Sequence, residues 1–193
     1  MTEEITQSIP SFYLSIHKET TESGFTMASD MLTCSLLRTL AACKPAGKFL
    51  ELGTGTGLST AWILDGMDSQ STLTSIDNDQ TFLSIAGKYL AHDQRLNLLH
   101  TDGGEWVRNN AGQKFDYIFA DTWHGKYLLL NEVLEMLNVG ALYIVDDMLP
   151  QPNWPEGHAA KVSDLIARLE QSTELVVTKM NWSTGIIVAT KLT

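Results

Sequence analysis

Cysteine, proline and basic residues are all scarce in this chain, and each shortage closes off a class of protein. The 193 residues hold two cysteines, Cys34 and Cys43. Both fall in what reads as one helix and form no metal-ligand pattern, so the simple reading is a pair of reduced thiols in a cytoplasm. Lys and Arg number 13 against 23 Asp and Glu, a formal charge of −10. No basic cluster stands out, which argues against nucleic acid or an anionic membrane as the main partner, since both require concentrated positive charge. No apolar run approaches the roughly 20 residues that span a bilayer. The start, MTEEITQSIP, is acidic and lacks the basic-then-apolar pattern of a secretory leader. The five prolines are mostly gathered in one stretch, LPQPNWPEG, so they interrupt little of the chain.

What is present is an alternation. Apolar residues recur at helical spacing over 27–43 (Met27, Met31, Leu36, Leu37, Leu40), and KPAG ends the run. Thereafter strand-like runs at 48–53, 71–77, 96–100, 115–121 and 141–146 alternate with helix-length segments at 58–66, 79–91, 104–110 and 126–138. That rhythm predicts right-handed crossovers and an α/β, doubly wound, mostly parallel sheet covered on both faces. A short helix is expected near 11–18 and another near 158–171, and the tail ELVVTKMNWSTGIIVAT predicts a closing β-hairpin. With no repeat or linker, the chain divides into an N-terminal segment, 1–25, and one domain, 26–193.

The stretch FLELGTGTGLST places Gly53, Gly55 and Gly57 where a strand opens into a helix, so backbone can approach a ligand closely. A strand-to-helix turn that merely needs positive φ would look the same. Asp77 ends the next strand in TSIDND, about twenty residues on, where an acid can accept hydrogen bonds from ribose hydroxyls. That combination points to an adenosine-containing ligand. Glu51, just ahead of the glycines, disfavours a pyrophosphate at the helix N-terminus and suits a cation. The spacing G-x-G-x-G also falls short of the dinucleotide fingerprint.

LELGTGTGLST followed by SIDND resembles the cofactor loop and ribose acid of class I S-adenosylmethionine-dependent methyltransferases. The resemblance implies a Rossmann-like seven-stranded sheet and a cofactor held by Glu51, Gly53, Thr54, Gly55, Gly57, Ser59, Asp77 and Asn78. It also sets Asp102 and Gly103 beside the adenine, although Asp102 reads equally as a helix N-cap.

Three more acids, Asp121, Asp146 and Asp147, follow the fourth and fifth strands, where ligands of open α/β sheets bind. By spacing alone they could cap the following segments. Unpaired they would repel one another, and a hard divalent cation bound through oxygen would relieve this. The pattern FADTWHGKY…VDDM resembles the catechol and caffeoyl-CoA O-methyltransferases, over roughly residues 25–150. That likeness makes Asp121, Asp146 and Asp147 the ligands of Mg or Mn, or of Ca, and puts Asp121 and Trp123 against the cofactor. Asp147 stands where the family usually has Asn. His124 stands where it usually has a lysine base, which leaves His124 or the nearby Lys126 to take the proton. His124 could equally be a surface histidine. Tyr127 reads as core, and Trp154 as packing for its loop or a wall for an aromatic substrate.

The expected function is therefore methyl transfer from S-adenosylmethionine to a hydroxyl of a small, catechol-like acceptor, assisted by a divalent metal. A homodimer is compatible with the resemblance. The alternatives are a metal-independent N- or O-methyltransferase, an NAD-dependent oxidoreductase, and a non-catalytic S-adenosylmethionine-binding protein.

Overall fold

A computed structural model describes residues 8–193 except Asn153; residues 1–7 of the expected N-terminal segment lie outside the described residues. In chain order the elements are α1 (Tyr13–Ser23), α2 (Met31–Ala42), β1 (Lys48–Leu52), α3 (Leu58–Gly66), β2 (Thr72–Asp77), α4 (Gln80–Leu90) and β3 (Leu96–His100). There follow α5 (Gly103–Asn109), β4 (Phe115–Ala120), α6 (Leu130–Glu135), β5 (Leu137–Val145), α7 (His158–Gln171), β6 (Leu175–Met180) and β7 (Ile186–Lys191).

The strands form one seven-stranded sheet in the order β3-β2-β1-β4-β5-β7-β6. The first five pair in parallel, and β7 inserts antiparallel between β5 and β6. The sheet is doubly wound, as its near-continuous apolar strands require. Alternate residues of one strand feed opposite cores: Ile118 and Ala120 of β4 face α5, α6 and α7, whereas Tyr117 and Phe119 face α1 to α4. Because these strands run parallel, the carboxyl ends of β1, β2, β4 and β5 open on one edge.

Three boundaries differ from expectation. The helix expected from residue 27 starts at Met31, because the Asp30 carboxylate caps it by accepting from the N–H groups of Leu32 and Thr33. This leaves 25–30 as an irregular segment. The first helix runs on to Ser23 and stops at Gly24, whose φ is 75°. The helix expected at 126–138 shrinks to Leu130–Glu135. Gly125 and Leu129 both take positive φ, and the chain from Trp123 to Leu128 closes a tight loop through Gly125 N–H to Leu128 O and Tyr127 N–H to Trp123 O. The fifth strand accordingly begins at Leu137, with a register irregularity opposite β4.

Helices α2 and α3 pack closely because Gly66 has no side chain. A Cβ there would lie 2.3 Å from the Arg38 carbonyl oxygen and 3.0 Å from the Ala41 Cβ. Gly66→Ala is therefore expected to destabilise the chain by about 1–3 kcal/mol, seen as a lower urea midpoint with an unchanged m-value; an unaltered midpoint would show that the two helices can part freely.

Candidate functional site

Two cavities open at the carboxyl edge of the sheet. The first, of about 240 Å3, lies against the glycine loop and is lined by Gly53, Thr54, Gly55, Thr56, Ser59, Asp77, Asn78 and Asp121, with Phe25 and Phe82 among its apolar walls. Gly53 has a φ of 107°, and a Cβ on it would stand 2.6 Å from Thr122 Cγ2. At Gly55, φ is 52° and a Cβ would meet the Phe25 ring at 2.9 Å. The loop therefore works only with bare backbone. Asp77 locks it in place: one carboxylate oxygen accepts from Gly55 N–H at 2.7 Å and the other from Asp79 N–H at 2.8 Å.

Not every residue assigned to this cavity touches it. Glu51 is fully buried behind the loop, where it accepts hydrogen bonds from Ser59 Oγ and Thr60 Oγ1, each at 2.6 Å, and from Ser75. Burial pushes its pKa up to about 7, against the pull of those three hydroxyls. Glu51 lines neither cavity, so of the residues expected to hold the cofactor it stands behind the wall and not in it. Gly57 caps α3 and packs on Ala86 and Leu90. Asp102 is exposed and caps α5 by accepting from Glu105 N–H at 2.8 Å. Neither Asp102 nor Gly103 lines the cavity, and Trp123 lines the other one.

The second cavity, of about 370 Å3, is lined by Asp121, Lys126, Tyr127, Asp146 and Asp147 with Trp123, Trp154 and His158. The two share a wall: Met27, Ala28, Ser29, Asp121 and Thr122 border both. Sequence reading missed Ser29, Phe25, Phe82 and His158; Tyr127, read as core, does pack against one of the two cores and also lines this cavity. Ser29 carried no signal, lying inside what read as a helix. Tyr127 is half-buried, and its hydroxyl lies 3.1 Å from His158 Nε2.

The two candidate bases part company. The His124 imidazole rests on α5, where a Cβ on Gly104 would come within 2.7 Å of its Nε2, and it lines neither cavity. Lys126 does the opposite. It is 5% exposed, and its Nζ donates to Asp121 Oδ1 at 3.2 Å and to the Asp146 carbonyl at 3.0 Å. Burial works to lower its pKa, but Asp121, Asp147 and Asp146 outweigh this and raise it, so it is an ammonium at neutral pH. Burial raises the Asp121 pKa, with Lys126 opposing; burial, then Asp121 and Asp147, raise that of Asp146.

The three aspartates do meet in one cavity, where both oxygens of Asp121 and one of Asp146 already have partners. Asp121 Oδ2 accepts from Ser29 Oγ at 3.1 Å while Oδ1 faces Lys126. Asp146 Oδ1 accepts from Thr184 Oγ1 and, at 2.7 Å, from Asp147 N–H. Among the described residues, no group of three or more His, Cys, Asp or Glu is disposed to hold a metal ion. The donor set does not fit the divalent cation expected from the resemblance, because an internal cation already stands at the cluster.

Sheet order, glycine loop and strand-end acids are those of a class I S-adenosylmethionine-dependent methyltransferase. The family model described as "Methyltransferase domain" matches residues 50–148, just over half of the chain, and the chain belongs to that family. A protein of Mycobacterium avium (strain 104), whose name proposes it as an O-methyltransferase, is 30% identical over 91 residues, which are 45% of this chain and 41% of that protein. The chain thus spans about two fifths of the length of the curated relatives it matches. Among solved structures, the O-methyltransferase of Bacillus cereus in complex with SAH superposes with a TM-score of 0.84 at 14% identity, over 97% of this chain and 93% of that one. The O-methyltransferase TomG of Streptomyces achromogenes, in complex with SAM, gives 0.84 at 17% identity, over 98% and 93%. At such identities the likeness is one of fold.

The raised acids set a pH signature. A carboxyl whose pKa is higher folded than unfolded binds its proton more tightly in the fold, so its contribution to stability is complete below the unfolded value and is lost as pH rises through the folded value. For Glu51 that window runs from about 4.3 to about 7; Asp121 and Asp146 act in the same sense, and His158, its pKa lowered by burial, opposes them. The melting temperature of the ligand-free protein is expected to fall between about pH 5 and 8, and Glu51→Gln to flatten that fall. A melting temperature that climbs over this range would contradict the assignment.

Proposed function

We propose that this chain transfers the methyl group of S-adenosylmethionine to a hydroxyl oxygen of a small acceptor. The observation that carries the reading is the shared wall: the acid-lined cavity at the glycine loop meets a second, aromatic-walled cavity at Asp121 and Thr122. Among the described residues, the first is lined by Asp77, Asp79 and Asp121 and by no Lys or Arg. Such a wall suits a ligand carrying an ammonium and a sulfonium, and disfavours the pyrophosphate of NAD.

When bound there, S-adenosylmethionine supplies a methyl whose bond to sulfur breaks, its electron pair going to sulfur, as the bond to the acceptor oxygen forms. The chain's part is positioning. Asp77 stands ready for the ribose hydroxyls, Gly53 and Gly55 let the backbone close on the methionyl end, and the acceptor enters between Trp123 and Trp154. Alignment of this kind contributes up to about 7–11 kcal/mol in favourable model reactions. Asp121 and Asp146, whose carboxyls are pushed toward neutrality, line the acceptor cavity as sites for the departing proton. The catalytic unit in this reading is 26–193, with α1 of the preceding segment tied to the cofactor loop through the Thr20 and Thr56 hydroxyls, 2.7 Å apart.

Calorimetry should show S-adenosylhomocysteine binding to the wild-type chain and NAD failing to bind. Asp77→Asn should weaken S-adenosylhomocysteine roughly tenfold to a hundredfold, the loss expected of a charged hydrogen bond, and should lower the melting temperature as well, because the amide keeps only one of the two oxygens that accept from Gly55 N–H and Asp79 N–H. A wild-type chain that ignores S-adenosylhomocysteine, or prefers NAD, would sink the reading.

A further inference from the structure

We propose that the Lys126 ammonium is the resident cation of the acceptor cavity, holding and acidifying the acceptor hydroxyl with no divalent ion at Asp121, Asp146 and Asp147. The inference rests on the methyl-transfer reading above and narrows its substrate class. A divalent ion would favour an acceptor that chelates through two adjacent oxygens. An ammonium needs a single acidic hydroxyl, such as that of a phenol.

Three observations support this. First, Lys126 lines the acceptor cavity although it is almost wholly buried. An ammonium has three N–H donors. Among the described residues, two of them go to Asp121 Oδ1 and the Asp146 carbonyl, and the third is left for an acceptor oxygen. Second, a metal would have to compete for three of the cluster's oxygens: both of Asp121, bonded to Lys126 and Ser29, and Asp146 Oδ1, bonded to Thr184 and the Asp147 N–H. Third, the loop that delivers Lys126 is fixed by the short bonds between Gly125 and Leu128 and between Trp123 and Tyr127, and the Tyr143 hydroxyl donates to the Gly125 carbonyl. The ammonium is therefore held in place by backbone, whereas a bound ion would have to displace it. A positive charge beside the hydroxyl favours its oxyanion as the proton leaves for a cluster carboxylate or water. The oxyanion's electron pair then forms the bond to carbon.

The test is a Mn2+ titration of the whole chain, with the free-ion resonance signal followed in the presence and absence of S-adenosylhomocysteine. Wild-type protein is expected to leave the Mn2+ signal undepleted. Lys126→Ala, or Lys126→Gln should the first variant fold poorly, should deplete it, with affinity stronger by on the order of a hundredfold or more once the competing charge is gone. Mn2+ should also raise the melting temperature of that variant and leave the wild type unmoved. Wild-type protein that takes up Mn2+ and loses this in Asp146→Asn overturns the proposal, as does a folded Lys126 variant that binds no more Mn2+ than wild type. The ion titration needs no methyl transfer, so a failure to bind S-adenosylhomocysteine would be a separate result and would count against the methyltransferase reading alone.

Discussion

Five acidic side chains, Glu51, Asp77, Asp121, Asp146 and Asp147, stand at the carboxyl ends of neighbouring strands, and the fold must reconcile that charge with burial. Four of them are met in different ways: three hydroxyls surround Glu51, two backbone N–H groups hold Asp77, Lys126 and Ser29 serve Asp121, and Thr184 and the Asp147 N–H serve Asp146. Much of the local structure follows from these arrangements. The glycine loop keeps its shape because Asp77 pins Gly55, and the tight turn after β4 exists to bring Lys126 back under the strand ends. Uncompensated, buried charges of this density would be severely destabilising.

The parts of the fold legible in the sequence were those written in period. Parallel strands covered on both faces read as apolar runs, so all seven strands and the doubly wound arrangement could be anticipated from them. The misread part was 126–138, where apolar content at helical spacing concealed a turn set by Gly125 and by the positive φ of Leu129. Nothing in the identity of a leucine announces a left-handed conformation; tertiary packing imposes it. The same turn decided the fate of the two candidate bases. Counting residues from Asp121 favoured His124, but the chain reverses within those few positions, so that Lys126 returns to Asp121 while His124 is carried onto α5.

The site was legible in outline for a similar reason. Residues at the end of a strand have positions fixed by the sheet, and Gly53, Gly55, Asp77, Asn78, Asp121, Asp146 and Asp147, all singled out near strand ends, do line the two cavities. Residues contributed by irregular segments, Phe25, Ser29 and His158, were not. Glu51 shows the limit of reading by adjacency: next to the glycines in sequence, it points to the far side of the loop, because alternate residues of a strand face opposite ways.

The segment between Gly24 and Asp30 gains meaning from where it is fastened. At one end it leaves α1, which is bonded to the cofactor loop through Thr20; at the other it ends at Asp30, held by the first turn of α2 and by Ser183. Between these two moorings Met27, Ala28 and Ser29 form one face of both cavities. The partition is common to both cavities, so any displacement of it that one guest induces is worked against or assisted by the other, and by equal amounts in each direction. In two-substrate kinetics such a linkage would show as an apparent affinity for one substrate that depends on the concentration of the other.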